Sequence, residues 1–401
     1  MRPILETIPL ADALSLMLNE ARPIERIERV ALHSAAGRVL ATAPVAPEDV
    51  PPFDRAAMDG YAVRAEDTFG ATRQAPRTLH CLESVYTGQK ATRSVGPGEC
   101  IEIATGAPMP DGADAVIIVE ETDRHDDDVD LFTPVYPRQN VGRRGADIAA
   151  GQAVLQAGDV LTPARVGALA ACGTADVEVY AKPRVAILST GNEIIEPGQP
   201  LGPAQIYDIN RYTLGAIVSA NGGEPIMQPT AADSLEDLSR AIDRGLECDM
   251  LLFSGGSSVG DRDLILDAIA RRGEIIFHGV AVKPGKPTAL GQIAGKPVVG
   301  MPGYPTSCLS NGYILIAPML RRLARLPPHR PAIARVPLAR RVVSTTGRHQ
   351  FYTVRIENGT AIPAFKASGD ITSMALADGY IEIPAHVDIV EAGQLVDVFL
   401  F

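Results

Sequence analysis

Cysteine pairs and positive charge are both scarce in this sequence, and each scarcity argues against a class of protein. The five cysteines lie far apart, without a CxxC pair or a Cys/His metal spacing. We therefore expect buried free thiols in a reducing compartment. The chain has 37 Lys and Arg against 48 Asp and Glu, a formal net charge of -11. This balance argues against general nucleic-acid binding, which needs a basic surface.

Long apolar runs are also missing. The apolar run from Tyr313 to Leu320 is too short to cross a bilayer and contains Pro318. The N-terminal residues from Met1 to Ile4 show no hydrophobic core of a signal peptide. We expect a soluble cytoplasmic protein that acts on neither membranes nor nucleic acid.

Length and composition indicate several domains. A chain of 401 residues can form two to four domains with substantial cores. Its 37 Gly and 32 Pro are high for a helical bundle and suit a loop-rich α/β plus β protein. With a net negative chain, any anionic substrate must be attracted by a local cluster of Lys and Arg.

The stretch from Asp249 to Asp263 carries the strongest chemical signal. Its apolar part, ending at Phe253, is typical of a strand buried on both faces, and a loop rich in glycine and serine follows. Open α/β sheets bind phosphate groups at such loops, where a strand leads into a helix. Asp261 and Asp263 bring negative charge to this expected anion site. A cation between them and the phosphate, most simply Mg²⁺, would account for them.

A second loop, VKPGKP at 282–287, supplies the opposite charge. Lys283 and Lys286 are three residues apart, next to prolines that fix the backbone φ. Together the two loops offer backbone donors, ammonium groups and carboxylates, a set that suits an oxyanion and a divalent metal. A surface turn with solvated lysines is the alternative. We favour the site because both loops follow buried-strand patterns in one unit.

The first part of the chain mixes helical and strand patterns. An amphipathic helix is predicted from Ile8 to Ala21, a strand from Ile27 to Leu32 and a short helix from Ala35 to Ala43. Short strands and turns from Leu79 to Pro137 indicate a small β domain, which follows a proline-rich boundary at 44–52.

The second part begins with strand and helix patterns in alternation. Strands are predicted at 184–188, 224–228, 250–253, 274–277 and 297–299, with helices at 211–220, 234–244 and 264–272. Such alternation predicts a three-layer α/β domain with a mostly parallel sheet. Beyond Pro327 and Pro328 the pattern is all-β and predicts a small C-terminal β-barrel or sandwich.

The fold class is therefore multidomain α/β plus β. Four domains are predicted: a discontinuous N-terminal α/β linker domain (1–47 and 141–178), an inserted small β domain (48–140), the three-layer α/β domain (179–328) and the C-terminal β-barrel domain (329–401).

Seven motifs, in this order, resemble those of one family, the molybdopterin molybdenumtransferases, which include MoeA-like proteins and the E domain of gephyrin. They are PPFDRAAMDGYAV (51–63), IATGAPMPDGADAV (103–116), VGRRGADI (141–148), AILSTGNEI (186–194), SGGSSVGDRD (254–263), VKPGKP (282–287) and GMPGYPTS (300–307). The resemblance covers nearly the whole chain.

The resemblance implies an elongated homodimer, in which the N-terminal linker domain contributes to dimerisation and the α/β domain binds molybdopterin. The implied reaction moves molybdate onto the dithiolene of adenylylated molybdopterin. Cleavage of the adenylyl bond with Mg²⁺ then releases AMP and yields the molybdenum cofactor. Contact with the molybdopterin adenylyltransferase is also compatible with this role.

The resemblance also implies roles for individual residues. The implied catalytic residues are Asp59, Asp147, Glu193 and Asp263, of which Asp263 and Glu193 are the implied Mg²⁺ ligands. The implied substrate-binding residues are Thr105, Gly255, Gly256, Ser257, Ser258, Gly260, Lys283, Lys286, Pro302, Gly303, Arg348 and Ser368. The chain departs from the family pattern at Ala56, Ala232, Tyr304 and His278–Gly279, and the last two departures leave molybdate and tungstate both open as the oxyanion.

Two other functions remain open from the sequence. The α/β domain alone resembles a molybdopterin adenylyltransferase, although the additional domains favour the insertion step. A non-catalytic scaffold that binds a pterin or an oxyanion is the second alternative, and the intact Asp263, Lys283 and Lys286 argue against it.

Overall fold

The computed structural model describes residues 6–231, 234–255 and 264–401. They form two compact units. The first unit contains Met1–Glu28, Gly37–Val39 and Val179–Phe401, and the second contains Arg29–Ala36 and Leu40–Glu178.

The described chain contains short helices and many short strands. The α-helices are α1 (Leu10–Glu20), α2 (Pro163–Ala171), α3 (Asn210–Ala220), α4 (Leu235–Gly245), α5 (Leu264–Arg272), α6 (Pro305–Asn311), α7 (Ala317–Leu323) and α8 (Thr372–Ala375). Turns of 3₁₀-helix cover Leu32–Ser34, Ala65–Thr68 and Val119–Glu121, and a π-helical turn covers Gly312–Ile316.

The strands are β1 (Ile27–Ala31), β2 (Arg55–Ala56), β3 (Gly60–Val63), β4 (Arg77–Val85), β5 (Glu99–Ile103), β6 (Ala115–Ile118), β7 (Thr122–His125), β8 (Asp128–Leu131), β9 (Val141–Gly142), β10 (Asp176–Tyr180), β11 (Arg184–Ser189), β12 (Ile194–Ile195), β13 (Ile206–Tyr207), β14 (Glu224–Met227), β15 (Met250–Ser254), β16 (Glu274–His278), β17 (Val282–Lys283), β18 (Ala289–Ile293), β19 (Lys296–Met301), β20 (Ile333–Pro337), β21 (Val342–Val343), β22 (His349–Glu357), β23 (Thr360–Pro363), β24 (Gly379–Ile383), β25 (Ile389–Val390) and β26 (Leu395–Leu400).

The second unit is built on a six-stranded sheet with the order β6-β3-β5-β4-β8-β7. Side chains on this sheet alternate between two cores, as the two-residue period of a strand requires. In β3, Tyr61 and Val63 enter one core, and Ala62 enters the other. The sheet places Asp59 directly before β3 and Thr105 shortly after β5.

The prediction of a short helix from Ala35 to Ala43 is wrong. The structure has only the 3₁₀ turn Leu32–Ser34 before this segment. Gly37 then adopts φ +77°, a left-handed conformation that an α-helix does not contain. The apolar residues of the segment therefore reach the interior from an irregular backbone.

The first unit contains a mostly parallel sheet of six strands in the order β14-β11-β15-β19-β18-β16. The pairs β14–β11, β11–β15 and β15–β19 are parallel, and both pairs that involve β18 are antiparallel. β18 has no counterpart among the predicted strands. It forms a tight hairpin with β19 and returns the chain to the same sheet.

Helices cover both faces of this sheet. On one face, side chains of α1, α3, α6 and α7 pack on alternate strand residues such as Ile187 and Leu252. On the other face, α4 and α5 pack on the intervening residues, including Leu188 and Phe253. Both faces of the central strands are thus buried, which explains their unbroken apolar runs.

The C-terminal part of the first unit is an open sheet, so the predicted closed barrel is wrong. Its order is β17-β22-β24-β26-β20, with β23 also paired to β22. Among the described residues, β17 and β20 end the order and do not pair with each other. β17 comes from the lysine loop at 282–287 and pairs in parallel with β22. An edge needed for closure is therefore occupied by a strand from an earlier part of the chain.

Within the residues described, no helix has both the length and the apolar character to cross a membrane.

Asp249 ties the starts of two central strands together. Its carboxylate accepts hydrogen bonds from Arg26 at 2.6 and 2.8 Å and from the Arg184 backbone N–H at 2.7 Å. Burial opposes ionisation of this carboxyl, yet these hydrogen bonds outweigh it and lower the pKa of Asp249.

We predict that Asp249→Asn lowers the free energy of unfolding at pH 7 by roughly 1–2 kcal/mol. Because the folded-state pKa is lowered, the carboxylate stabilises the fold above its unfolded pKa of about 3.9 and loses this effect as pH falls through the folded value. Urea denaturation at pH 7 and near pH 2 should show the difference from the parent protein shrinking in acid. An equal difference at both pH values would contradict the assignment.

Candidate functional site

Three parallel strands of the first unit end side by side. Ser189 at the end of β11 pairs in register with Ser254 of β15, and Ser254 pairs with Met301 of β19. The segments that follow therefore begin at one edge of the sheet, which we call the strand-end edge. They include Gly255 and the Pro302–Gly303 turn. The carboxyl end of a parallel sheet is where open α/β folds bind ligands.

Gly255 allows the backbone to pack closely at this edge. Its φ is +102°, and a Cβ atom there would lie 2.3 Å from the carbonyl oxygen of Thr190. Gly303 lies alongside, because a Cβ on Gly303 would be 3.7 Å from the Gly255 Cα. At these two positions the edge thus presents backbone rather than side chains, which suits a ligand that contacts main-chain N–H groups.

Buried polar groups lie beneath the strand-end edge, at the start of α3. The Asn210 Nδ2 donates to the Gly303 carbonyl oxygen at 2.8 Å. Asp208, 5% exposed, accepts from the Arg211 backbone N–H at 3.0 Å through Oδ1. Its Oδ2, like Ser189 Oγ and Asn210 Oδ1, is buried without a hydrogen-bond partner among the described residues. The start of α3 therefore supports the Gly303 turn from below.

Glu193 places a carboxylate at the same edge. It lies in the loop after β11 and is exposed. Both carboxylate oxygens fold back toward Gly191, 2.8 Å from the position that a Cβ would occupy there. Among the described residues, no three His, Cys, Asp or Glu side chains gather to hold a metal ion. Glu193 therefore presents a single carboxylate at the edge, a group of the type that binds Mg²⁺ in proteins.

The lysine loop is clamped by a buried amide. Asn311, at the end of α6, donates through Nδ2 to the Gly285 carbonyl oxygen at 2.8 Å. The loop is closed at its base by a hydrogen bond from the Val280 N–H to the Lys286 carbonyl oxygen at 2.9 Å. Gly285 has φ +108°, and a Cβ there would lie 2.4 Å from the Asn311 amide nitrogen. Asn311 thus fixes the backbone between the two lysines.

Lys283 meets the C-terminal sheet. Its Nζ donates to the Thr345 Oγ1 at 2.6 Å. In the pairing of β17 with β22, Val282 lies opposite His349, so Arg348 lies directly before the paired residues. The Lys283 side chain thus contacts the loop 344–348, which also carries Arg348, so the two positively charged residues belong to segments that touch each other.

Ser368 joins this arrangement through α6. Its carbonyl oxygen accepts hydrogen bonds from the Thr306 N–H at 3.2 Å and from Thr306 Oγ1 at 2.6 Å. A Cβ on the neighbouring Gly369 would lie 4.0 Å from the Tyr304 ring. Since α6 has seven residues, its first turn and Asn311 are separated by only about 7–10 Å. The helix therefore connects the strand-end edge, the Ser368 loop and the lysine loop.

The second unit holds the other two predicted catalytic acids that the structure describes, Asp59 and Asp147. The Asp59 carboxylate accepts a hydrogen bond from the Thr105 N–H at 2.6 Å, and this bond lowers the pKa of Asp59. Asp147 is exposed, and its backbone N–H donates to the Val50 carbonyl oxygen at 3.0 Å. The structure therefore pairs Asp59 with Thr105 and leaves Asp147 on a separate loop of that unit.

Several predicted site residues lie outside the described part of the chain. They are Gly256, Ser257, Ser258, Gly260, Asp261 and Asp263. Their roles stay predictions.

The sequence analysis missed Asn311, Thr306 and Thr345, although each contacts a predicted site segment. An amide directly before the apolar run that starts at Gly312 was the available signal for Asn311, because a buried polar group needs a partner. The contacts of Thr306 and Thr345 join residues 62 positions apart, and no local pattern indicates them.

We predict that Gly255→Ala lowers the free energy of unfolding by at least about 1–3 kcal/mol, because the positive φ and the Thr190 carbonyl both oppose a Cβ. Gly303→Ala is the matched control. Its Cβ would make only an ordinary contact at 3.7 Å, so a change within about 0.5–1 kcal/mol is expected. Denaturant titrations followed by circular dichroism measure both. Equal losses in the two variants would show that close backbone packing at Gly255 is unimportant.

Comparison with protein families gives matches along the chain. Residues 8–173 match the model of the MoeA N-terminal region (domain I and II). Residues 186–322 match a probable molybdopterin binding domain, and residues 335–401 match the MoeA C-terminal region (domain IV).

Individual relatives match over nearly their full lengths. The chain is 38% identical to Molybdopterin molybdenumtransferase 2 of Mycobacterium tuberculosis over 96% of each chain. It is 32% identical to the molybdopterin molybdenumtransferase of Haemophilus influenzae over 98% of each chain. A crystal structure of the molybdopterin biosynthesis MoeA protein from Pyrococcus horikoshii covers 98% of this chain and 99% of its own, at 40% identity and a TM-score of 0.84. The chain belongs to the MoeA family and shares its multidomain fold.

Proposed function

We infer that this chain is an enzyme, a molybdopterin molybdenumtransferase, which inserts molybdenum during synthesis of the molybdenum cofactor. The observation that carries the inference is the contact of Lys283 with Thr345, in the loop that also carries Arg348, within a unit that also contains the strand-end edge. Relatives of that name match nearly the full length of the chain, and this breadth favours the insertion step over an adenylyltransferase or a scaffold.

Molybdate is a doubly charged tetrahedral oxyanion, and the chain has a net charge of -11. Local cations must therefore attract it. Lys283, Lys286 and Arg348 provide charge-assisted donors, and Ser368 adds a hydroxyl from the adjacent loop. Asn311 and Thr306 hold the backbone of these loops in place. The oxyanion, molybdate or tungstate, is the substrate of this part of the site.

The strand-end edge suits the other substrate, adenylylated molybdopterin. Gly255 and Gly303 expose backbone to a phosphate-bearing ligand, and the predicted anion loop continues from Gly255. We propose that cleavage of the adenylyl bond here releases AMP as molybdenum is inserted.

The described residues supply only part of a set of ligands for Mg²⁺. Glu193 supplies one carboxylate, and Mg²⁺ is commonly bound by one or two carboxylates together with substrate phosphates and water. Asp263 is the second proposed ligand. When bound, the ion would stabilise negative charge on the phosphate that leaves. The described residues contribute by holding Glu193 against Gly191 at the edge.

The division into four domains and the homodimer also belong to the proposal. Asp59, Thr105 and Asp147 lie in the second unit, and their part in the reaction depends on the homodimer that the family resemblance implies. Contact with the adenylyltransferase that supplies the adenylylated substrate is proposed on the same basis.

The reaction is tested by measuring AMP release from purified protein. AMP should appear only when adenylylated molybdopterin, Mg²⁺ and molybdate are all present. ATP with unmodified molybdopterin should give no adenylylated product. Adenylylation from ATP would instead identify an adenylyltransferase. Calorimetry that detects neither pterin nor molybdate binding would contradict both enzymatic assignments.

We predict that Asp263→Asn retains pterin binding but loses AMP release, because the amide keeps the shape of the side chain and removes the charge that Mg²⁺ needs. Asp243→Asn is a matched control, since Asp243 pairs with Arg272 on the helical face away from the edge. Pterin binding is measured by calorimetry and AMP by chromatography. Unimpaired AMP release by Asp263→Asn would rule out its metal role.

A further inference from the structure

Thr345 is the side chain that meets Lys283. The Lys283 Nζ lies 2.6 Å from the Thr345 Oγ1, a hydrogen bond between residues 62 positions apart. Both residues are half-buried. The contact joins the lysine loop to the loop 344–348, which also carries Arg348. Neither composition nor any motif in the sequence had singled out Thr345.

The 344–348 loop contains three consecutive hydroxyl residues, and two of them fix the loop itself. Ser344 Oγ donates to Gln350 Oε1 at 2.9 Å, and Gln350 is only 2% exposed. Thr346 Oγ1 donates to Asp388 Oδ1 at 2.6 Å. The Ser344 N–H also donates to the Asp388 carbonyl oxygen at 2.7 Å. Thr345, between them, is thus held on a well-supported backbone while its hydroxyl faces the ammonium group.

We propose that Thr345 is a positioning residue for oxyanion binding, in which its hydroxyl holds the Lys283 ammonium in the orientation that the oxyanion needs. The inference rests on the proposed function, because it assigns Lys283 to the oxyanion site. An ammonium group has three donors, so accepting one of them leaves two for oxyanion oxygens.

The physical reason is preorganisation. A lysine side chain is long and flexible, and it loses rotamer freedom when a ligand orders it. A hydroxyl that already fixes the ammonium removes part of this cost before the oxyanion arrives. The effect concerns binding, because the same hydrogen bond can persist in the bound and reacting states. Loss of the hydroxyl should therefore raise the KM for molybdate and change kcat little.

Three variants separate positioning from folding. Thr345→Val keeps the branched shape and removes the hydroxyl, and Thr345→Ser restores the hydroxyl without the methyl group. Thr78→Val is the matched control, because the Thr78 hydroxyl makes the same kind of hydrogen bond, to Asp130 Oδ1 at 2.6 Å, in the sheet of the second unit. We expect Thr345→Val to raise the KM for molybdate about tenfold, in line with one hydrogen bond to a charged group. Its kcat should stay within about twofold, and Thr345→Ser should recover most of the loss.

A double-mutant cycle gives a readout that a purely structural role would not move. In a Lys283→Ala background, Thr345→Val should have no further effect on molybdate affinity, because the partner is already gone. Calorimetric titration with sodium molybdate measures this without requiring turnover. Thr78→Val should keep parental molybdate affinity.

The outcomes distinguish this inference from the function on which it rests. If the parent protein neither binds molybdate nor releases AMP, the proposed function is wrong and the role of Thr345 with it. If the parent is active and Thr345→Val matches it in molybdate KM, the inference alone is overturned. Equal losses from Thr345→Val in the presence and absence of Lys283 would overturn it as well.

Discussion

The alignment of β11, β15 and β19 is the constraint on which the rest of the first unit depends. Because the three strands are parallel and in register, their carboxyl ends reach the same level and their following loops must share one edge. Apolar packing on both faces holds the strands in that register, since a shift by one residue would exchange the two cores. The position of the glycine-lined edge is therefore set by the core beneath it.

Helix α6 connects the strand-end edge to the loops that contain the charged residues. Its first turn binds the Ser368 loop through Thr306, and its last residue, Asn311, clamps the lysine loop. Buried polar contacts of this kind are specific, because an amide or hydroxyl left without its partner destabilises the fold. A helix of seven residues thus fixes two loops that are distant in sequence relative to one edge.

Much of this arrangement could be predicted locally. The alternation of apolar and amphipathic segments predicted a mostly parallel sheet, and the strands of the first unit form one. The glycine and lysine motifs indicated the loops that flank the site. Local patterns failed where distant segments decide the outcome. The residues around Ala35 do not predict that Gly37 adopts a left-handed conformation. The sequence after Pro328 does not predict that β17 occupies the edge of the C-terminal sheet. The contact of Thr345 could not be predicted locally, because its partner, Lys283, lies 62 positions away in the sequence.

The pairing of β17 with β22 has a mechanical consequence. Two residues of the lysine loop are woven into a sheet whose other strands all come from beyond Pro328. The C-terminal segment is therefore joined to the α/β part of the chain through a shared sheet. If the C-terminal sheet moves, the backbone of Lys283 moves with it. The position of the Lys283 charge, and with it the attraction of an anion, therefore depends on how stably the last seventy or so residues are packed.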